Sequence, residues 1–113
     1  MSDCIFCRIV RQEIPAQVVC EDQHAVAFRD INPQAPTHIL VIPKKHVQSL
    51  DQCSPPDQTL LGHLLLMVQR IARDENVAFA YRVVLNNGAE AGQSVFHVHL
   101  HLLGGRPFSW PPG

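Results

Sequence analysis

Neither sign of charge dominates this chain. Nine Lys and Arg stand against ten Asp and Glu, a net charge of −1 at pH 7, and no basic run exceeds Lys44-Lys45. That balance removes the electrostatic argument for nucleic acid or an anionic membrane as partner. No apolar stretch approaches the roughly 20 residues of a membrane span. The start, Met-Ser-Asp-Cys, lacks the basic and apolar character of a secretory signal, so a cytoplasmic location is expected. Repeats, linkers and low-complexity segments are also absent. The 113 residues therefore read as one domain, 1–113, large enough for a single core and too short for two. In a cytoplasmic setting the four cysteines, at 4, 7, 20 and 53, are reduced thiols unless a metal holds the close pair.

What the chain does contain is clear apolar patterning. Ile5, Phe6, Ile9 and Val10 recur at helical spacing, and Ile14-Pro15 is expected to end that short helix. Gln17–Glu21 and Ala25–Arg29 read as a strand hairpin across a polar turn at Asp22-Gln23. Two prolines make 32–36 a loop leading into a third strand, Thr37–Ile42. Ser54-Pro55-Pro56-Asp57 carries helix-start signals, and Leu60, Leu61, Leu64, Val68, Ile71 and Ala72 then form one stripe down about five turns. Tyr81–Leu85 and Phe96–Leu102 complete five strands, joined by a glycine-bearing loop. The expectation is an α+β fold with an antiparallel sheet, one short and one long helix, and an extended tail over 104–113.

The most informative stretch is His97-Val98-His99-Leu100-His101. Period two sends the three imidazoles to one face and Val98, Leu100 and Leu102 to the core. At roughly 3.4 Å per residue, His97 and His101 stand about 14 Å apart at the backbone, which speaks against one metal holding all three. Imidazole is a good nucleophile near neutral pH, and a neighbouring ring can donate hydrogen bonds to phosphate oxygens, so the row suits phosphoryl or nucleotidyl transfer. The residues alone leave His99 and His101 both eligible as nucleophile.

The run 97–103, HVHLHLL, resembles the His-φ-His-φ-His-φ-φ signature of the histidine triad family. The likeness extends to CIFCRIVRQEIPA, FRDINPQAPTHILVIPKKH and YRVVLNNGAEAGQSVFHVHLHLLGGRPFSWPPG, nearly the whole chain. The tail Gly104-Gly105-Arg106-Pro107 with Trp110-Pro111-Pro112-Gly113 is similar to the Hint branch, the adenosine phosphoramidate hydrolases. Galactose-1-phosphate uridylyltransferases usually carry glutamine at the third triad position, so His101 argues for a hydrolase.

This resemblance implies His99 as the nucleophile toward an α-phosphorus, supported by His101, His38 and Ser94. It implies a nucleotide pocket of Asp30, Ile31, Asn86, Gly92, Gln93, Ser94, His99 and His101, taking AMP, GMP or a purine phosphoramidate. Read without it, His38 is a core histidine, Asp30 a turn residue and Ser94 a structural serine. Ile5, Phe6, Ile9 and Phe28 either wall the purine or simply pack. Cys4-x-x-Cys7 is by itself weak evidence for zinc, a redox pair or inert thiols being equally readable. Some bacterial members of the family complete a structural zinc site with histidines matching His46 and His97, which implies a Cys4, Cys7, His46, His97 set. Catalysis in this branch needs no cofactor, so such a zinc would be structural. His24 and His63 have no partners for such a metal site and are expected at the surface. The branch also implies a two-fold homodimer whose tail brings Trp110 to the partner's site. Competing functions are a dinucleotide polyphosphate hydrolase and a nucleotide-binding scaffold.

Overall fold

The structure, a computed structural model, describes residues 4–113. The Met-Ser-Asp start lies outside them. A short helix, α1 (Ile5–Val10), precedes strands β1 (Val18–Glu21), β2 (Ala25–Arg29) and β3 (Thr37–Pro43). A long helix, α2 (Gln58–Asp74), separates these from β4 (Tyr81–Val84) and β5 (Leu100–Gly104). The strands form one antiparallel sheet in the order β1-β2-β3-β5-β4, which confirms the expected α+β architecture.

Local chemistry sets the ends of the elements. Asp22 Oδ1 accepts the N–H groups of His24 and Ala25 and closes the β1–β2 turn. Ser54 caps a single 3-10 turn, Pro55–Asp57, that runs into α2; the Asp57 carboxylate reaches back to the Ser54 N–H at 2.9 Å and takes Lys45 Nζ at 2.7 Å. Helix α1 stops at Val10, earlier than Pro15 requires, because Gln12 turns the chain at φ 61°.

The sheet has two unlike faces. Ala25, Ala27, Ile39, Val41, Val98, Leu100 and Leu102 pack on Leu64, Met67, Val68, Ile71 and Ala72 of α2. Leu64 is fully buried, a contribution of about 1.5–3 kcal/mol by area. The opposite face carries Val26, Phe28, Leu40 and Ile42, all buried under Phe6 of α1, with Cys4, Ile9, Val10 and Val95 packed at the margin. Arg29 at the end of β2 forks onto both Glu75 oxygens, at 3.0 and 2.9 Å, and ties the sheet to the end of α2.

One local expectation is corrected. Ladder pairing in the last strand runs over Leu100–Gly104 and not from Phe96, so His97 and His99 sit in an extended lead-in. That lead-in is still held, since Val98 N–H donates to the Val47 carbonyl at 2.8 Å. His63 is part-exposed, with its Nε2 2.7 Å from Asp22 Oδ2. The tail is held over 106–109, where Arg82 Nη2 donates to the Ser109 carbonyl at 2.7 Å and Arg106 stacks 4.3 Å from the Phe108 centroid.

Candidate active site

Alternation delivers the expected split: Val98, Leu100 and Leu102 enter the α2-side core, while His97, His99 and His101 leave on the α1 side. His38 joins them by register. It pairs with Leu103 and Leu40 pairs with His101, so His38 and His101 are diagonal neighbours on adjacent strands. His99 and His101 rings lie 5.0 Å apart, and Phe6 meets His99 edge-on at 5.1 Å.

Hydrogen-bond partners assign each ring's tautomer. His97 Nε2–H donates to the Pro43 carbonyl at 2.8 Å, leaving Nδ1 with a lone pair. His99 does the reverse: Nδ1–H donates to the His97 carbonyl at 2.7 Å, which leaves Nε2 as the ring nitrogen with a lone pair. His38 Nδ1 accepts the Gln34 N–H at 2.9 Å, so its proton sits on Nε2 and goes to His101 Nδ1 at 2.9 Å. His101 must then carry its own proton on Nε2. The row therefore presents a lone pair at His99 beside a donor at His101. Burial, reinforced by the neighbouring His99 and His38, pushes His101 down to about 4, so it is neutral at pH 7. Burial lowers His38 too, against a partial counter-pull from Asp30.

Both His99 and His101 open on a cleft of ≈ 340 Å³ with Asp30, Ile31, Ser94 and Phe28 among its walls, within the size range of small-ligand sites. Ile31 is fully exposed on its rim. Sequence reasoning missed Leu40, Val95 and the Ile14-Pro15 corner, which also line it. Leu40 was findable, being two residues along the strand from His38. Asn86, Gly92 and Gln93 lie outside the walls. Gln93 is buried and spends its amide on the loop: Oε1 takes the Gly88 N–H at 2.8 Å and Nε2 donates to the Gln48 and Val95 carbonyls at 2.9 and 3.1 Å. Gly92 adopts φ 103° with Asn86 against it, a left-handed turn that a side chain would strain. These three residues shape the loop that carries Ser94.

Two clusters of metal-capable atoms flank the row, Cys4 with Cys7, His46 and His97, and Asp30 with His38 and His101. Their chemistry separates them. In the second, the 2.9 Å His38–His101 approach is a donor–acceptor contact and the Nε2 of His38 already carries a proton. In the first, His97 Nδ1 is a free lone pair lying 3.4 Å from Cys4 Sγ, 3.6 Å from Cys7 Sγ and 3.1 Å from His46 Nδ1, and Cys7 Sγ is 3.2 Å from His46 Nδ1. Zn–N near 2.0 Å and Zn–S near 2.3 Å give tetrahedral edges of roughly 3.3–3.8 Å, and these separations of 3.1–3.6 Å come within a few tenths of an ångström of them, so the donor set suits a zinc ion after a small outward adjustment at His46. Burial and the adjacent Cys4 raise the Cys7 thiol, a cost that a bound cation would relieve.

An antiparallel α+β domain here sets a lone-pair imidazole beside a donor imidazole on one cleft, an arrangement suited to nucleophilic attack at phosphorus. The HIT domain family matches residues 11–108, and the chain belongs to this histidine triad family. An uncharacterised HIT-like protein from Synechocystis sp. is 58% identical over 112 residues, 99% of this chain and 98% of that one. The crystal structure of a HIT family hydrolase from Legionella pneumophila superposes with a TM-score of 0.96 at 49% identity, covering 98% of this chain and all of the other. A histidine triad nucleotide-binding protein from Candida albicans gives 0.83 at 34% identity, over 98% and 85% of the two chains.

Proposed function

We propose that this protein hydrolyses the P–N bond of purine nucleoside phosphoramidates to a nucleoside monophosphate and an amine, and likewise the P–O anhydride bond of aminoacyl-adenylate-type substrates to the monophosphate and an amino acid. The observation that carries the reading is the pairing of a free Nε2 lone pair on His99 with an Nε2–H donor on His101 at one cleft. His99 Nε2 attacks the α-phosphorus, the P–N bond breaks, and the amine leaves after taking a proton, for which the Ser94 hydroxyl is the relay within the cleft. Water then attacks the nucleotidyl-His99, breaking the P–N bond to the ring and restoring it. His101 donates to a non-bridging oxygen in both steps, and the His97 carbonyl disperses the charge that His99 acquires. Asp30 accepts the ribose hydroxyls, and Ile31, Phe6 and Phe28 cover the base.

Cys4, Cys7, His46 and His97 would hold a zinc ion whose contribution is a cross-link between α1 and the lead-in to β5. Through α1 that link fixes Phe6, a wall of the cleft. A homodimer is supported by the open edge of β4, with Tyr81 and Val83 partly exposed, and by Leu65 and Leu66, 53% and 64% exposed on α2. Trp110, 82% exposed, is then free to reach a partner's cleft. Adenosine phosphoramidate and a diadenosine polyphosphate, offered under identical conditions, test the substrate class. Faster turnover of the phosphoramidate is expected; preference for the polyphosphate would assign the site to dinucleotide hydrolysis, and turnover of neither to nucleotide binding alone.

A further inference from the structure

The bond that sets the His38 tautomer does not come from the catalytic strands. It comes from the backbone N–H of Gln34, in the loop between β2 and β3, and the C-terminal tail grips that loop twice. Arg106 Nε donates to the Gln34 carbonyl at 2.9 Å while its Nη1 donates to the Pro107 carbonyl at 3.0 Å. Gly105, at φ +90°, lies so close to Pro36 that a Cβ there would stand 3.0 Å from the proline Cβ. Arg106 and Arg82 both lie over the Phe108 ring, at 4.3 and 5.1 Å from its centroid, which holds the guanidinium in place.

We propose that Arg106 is a positioning residue that acts through Gln34 and His38 to fix the proton of His101 on Nε2. The proposal rests on the phosphoryl-transfer reading given above. With the Gln34 N–H in place, a neutral His38 must donate from Nε2, and His101 must keep its proton on the nitrogen facing substrate. Release of the loop removes that constraint and leaves the Asp30 carboxylate, 3.4 Å from His38 Nε2, as the one remaining pull on the proton. His38 can then hold its proton on Nδ1 and accept at Nε2, whereupon His101 donates from Nδ1 and turns a lone pair, not a proton, toward an anionic phosphate oxygen. The tail thus selects between attraction and repulsion at the reacting group.

The test is the histidine tautomers of the full-length protein, read by long-range 1H–15N spectra, beside phosphoramidate turnover for wild type, Arg106→Ala and Arg106→Gln. Wild type should show Nε2–H at His38 and His101. Arg106→Ala should show mixed tautomers at both, with kcat lower by about three- to tenfold and KM within about twofold. Arg106→Gln keeps an N–H in reach of the carbonyl and should restore both readouts. Gln34→Pro removes the N–H itself and should reproduce the mixture. Wild-type tautomers in Arg106→Ala, or a kcat loss that glutamine does not rescue, overturn the proposal. If no protein cleaves phosphoramidate yet the tautomers shift as described, the relay stands and the substrate reading falls.

Discussion

At His99 the two ring nitrogens have separate tasks, one anchored on the His97 carbonyl at 2.7 Å and one left for phosphorus. His99→Gly removes the attacking atom and little else in the cleft wall. Turnover should fall by at least about 10³-fold while nucleoside monophosphate affinity stays within a few-fold, because only the covalent step is lost. Rapid quench and intact-mass measurement should show a nucleotidyl adduct on wild type alone. Full activity in the glycine variant would remove His99 from the chemistry. The histidine row itself was legible, because alternation with Val98 and Leu100 is a strand-period signal. Which carbonyl anchors His99, and which nitrogens of His38, His97 and His101 carry protons, were not, since Pro43, His97 and Gln34 act through backbone groups that every residue possesses.

Among the elements, α2 is started by a carboxylate rather than by propensity alone. The hydrogen bond from Lys45 and then that from the Ser54 N–H hold the Asp57 carboxyl below its ordinary value. A carboxylate whose pKa is lower folded than unfolded adds stability above the unfolded value, and that stability is lost as pH falls through the folded one. Asp57→Asn should therefore lower the Tm by a constant amount above about pH 5, and the gap should close below about pH 4, near and beneath the free carboxyl pKa. Parallel melts across that range check it; a gap independent of pH would assign the loss to packing. At α1 the expectation is metal-linked. Purified protein should contain close to one zinc per chain, and Cys7→Ser should release it with a fall in Tm larger than any fall in kcat. Metal-free wild type of unchanged stability would leave Cys4 and Cys7 as packing thiols. Motif spacing pointed to this pair, but only folding shows His46 and His97 meeting it, from 39 and 90 residues beyond Cys7.

For the molecule as a whole, the sheet's two faces divide stability from function: α2 packs on one, and α1 packs on the other beside the cleft on which His99 and His101 open. The remaining apolar surface at β4, Leu65 and Leu66 predicts association. Light scattering should give twice the chain mass, and Trp110→Ala should alter KM for substrates with bulky leaving amines more than kcat. A monomer, or unchanged selectivity, would confine Trp110 to the surface of its own chain. Among the described residues no helix is long and apolar enough to cross a membrane.

Periodicity and punctuation by themselves determined the element order, the core face of the histidine row and the start of α2, because each depends on neighbours within a few residues. Tertiary structure decided the rest. Ladder pairing with β3 set where β5 begins, register brought His38 to His101, and a chain reversal put Asp22 on His63. The side chain of Gln93, a residue that the family resemblance placed at the ligand, is held within its own loop because a buried amide must satisfy both its donor and its acceptor atoms. The tail's grip on Gln34 was equally unreadable, since it joins an arginine to a backbone carbonyl 72 residues away and no side-chain pattern records a carbonyl.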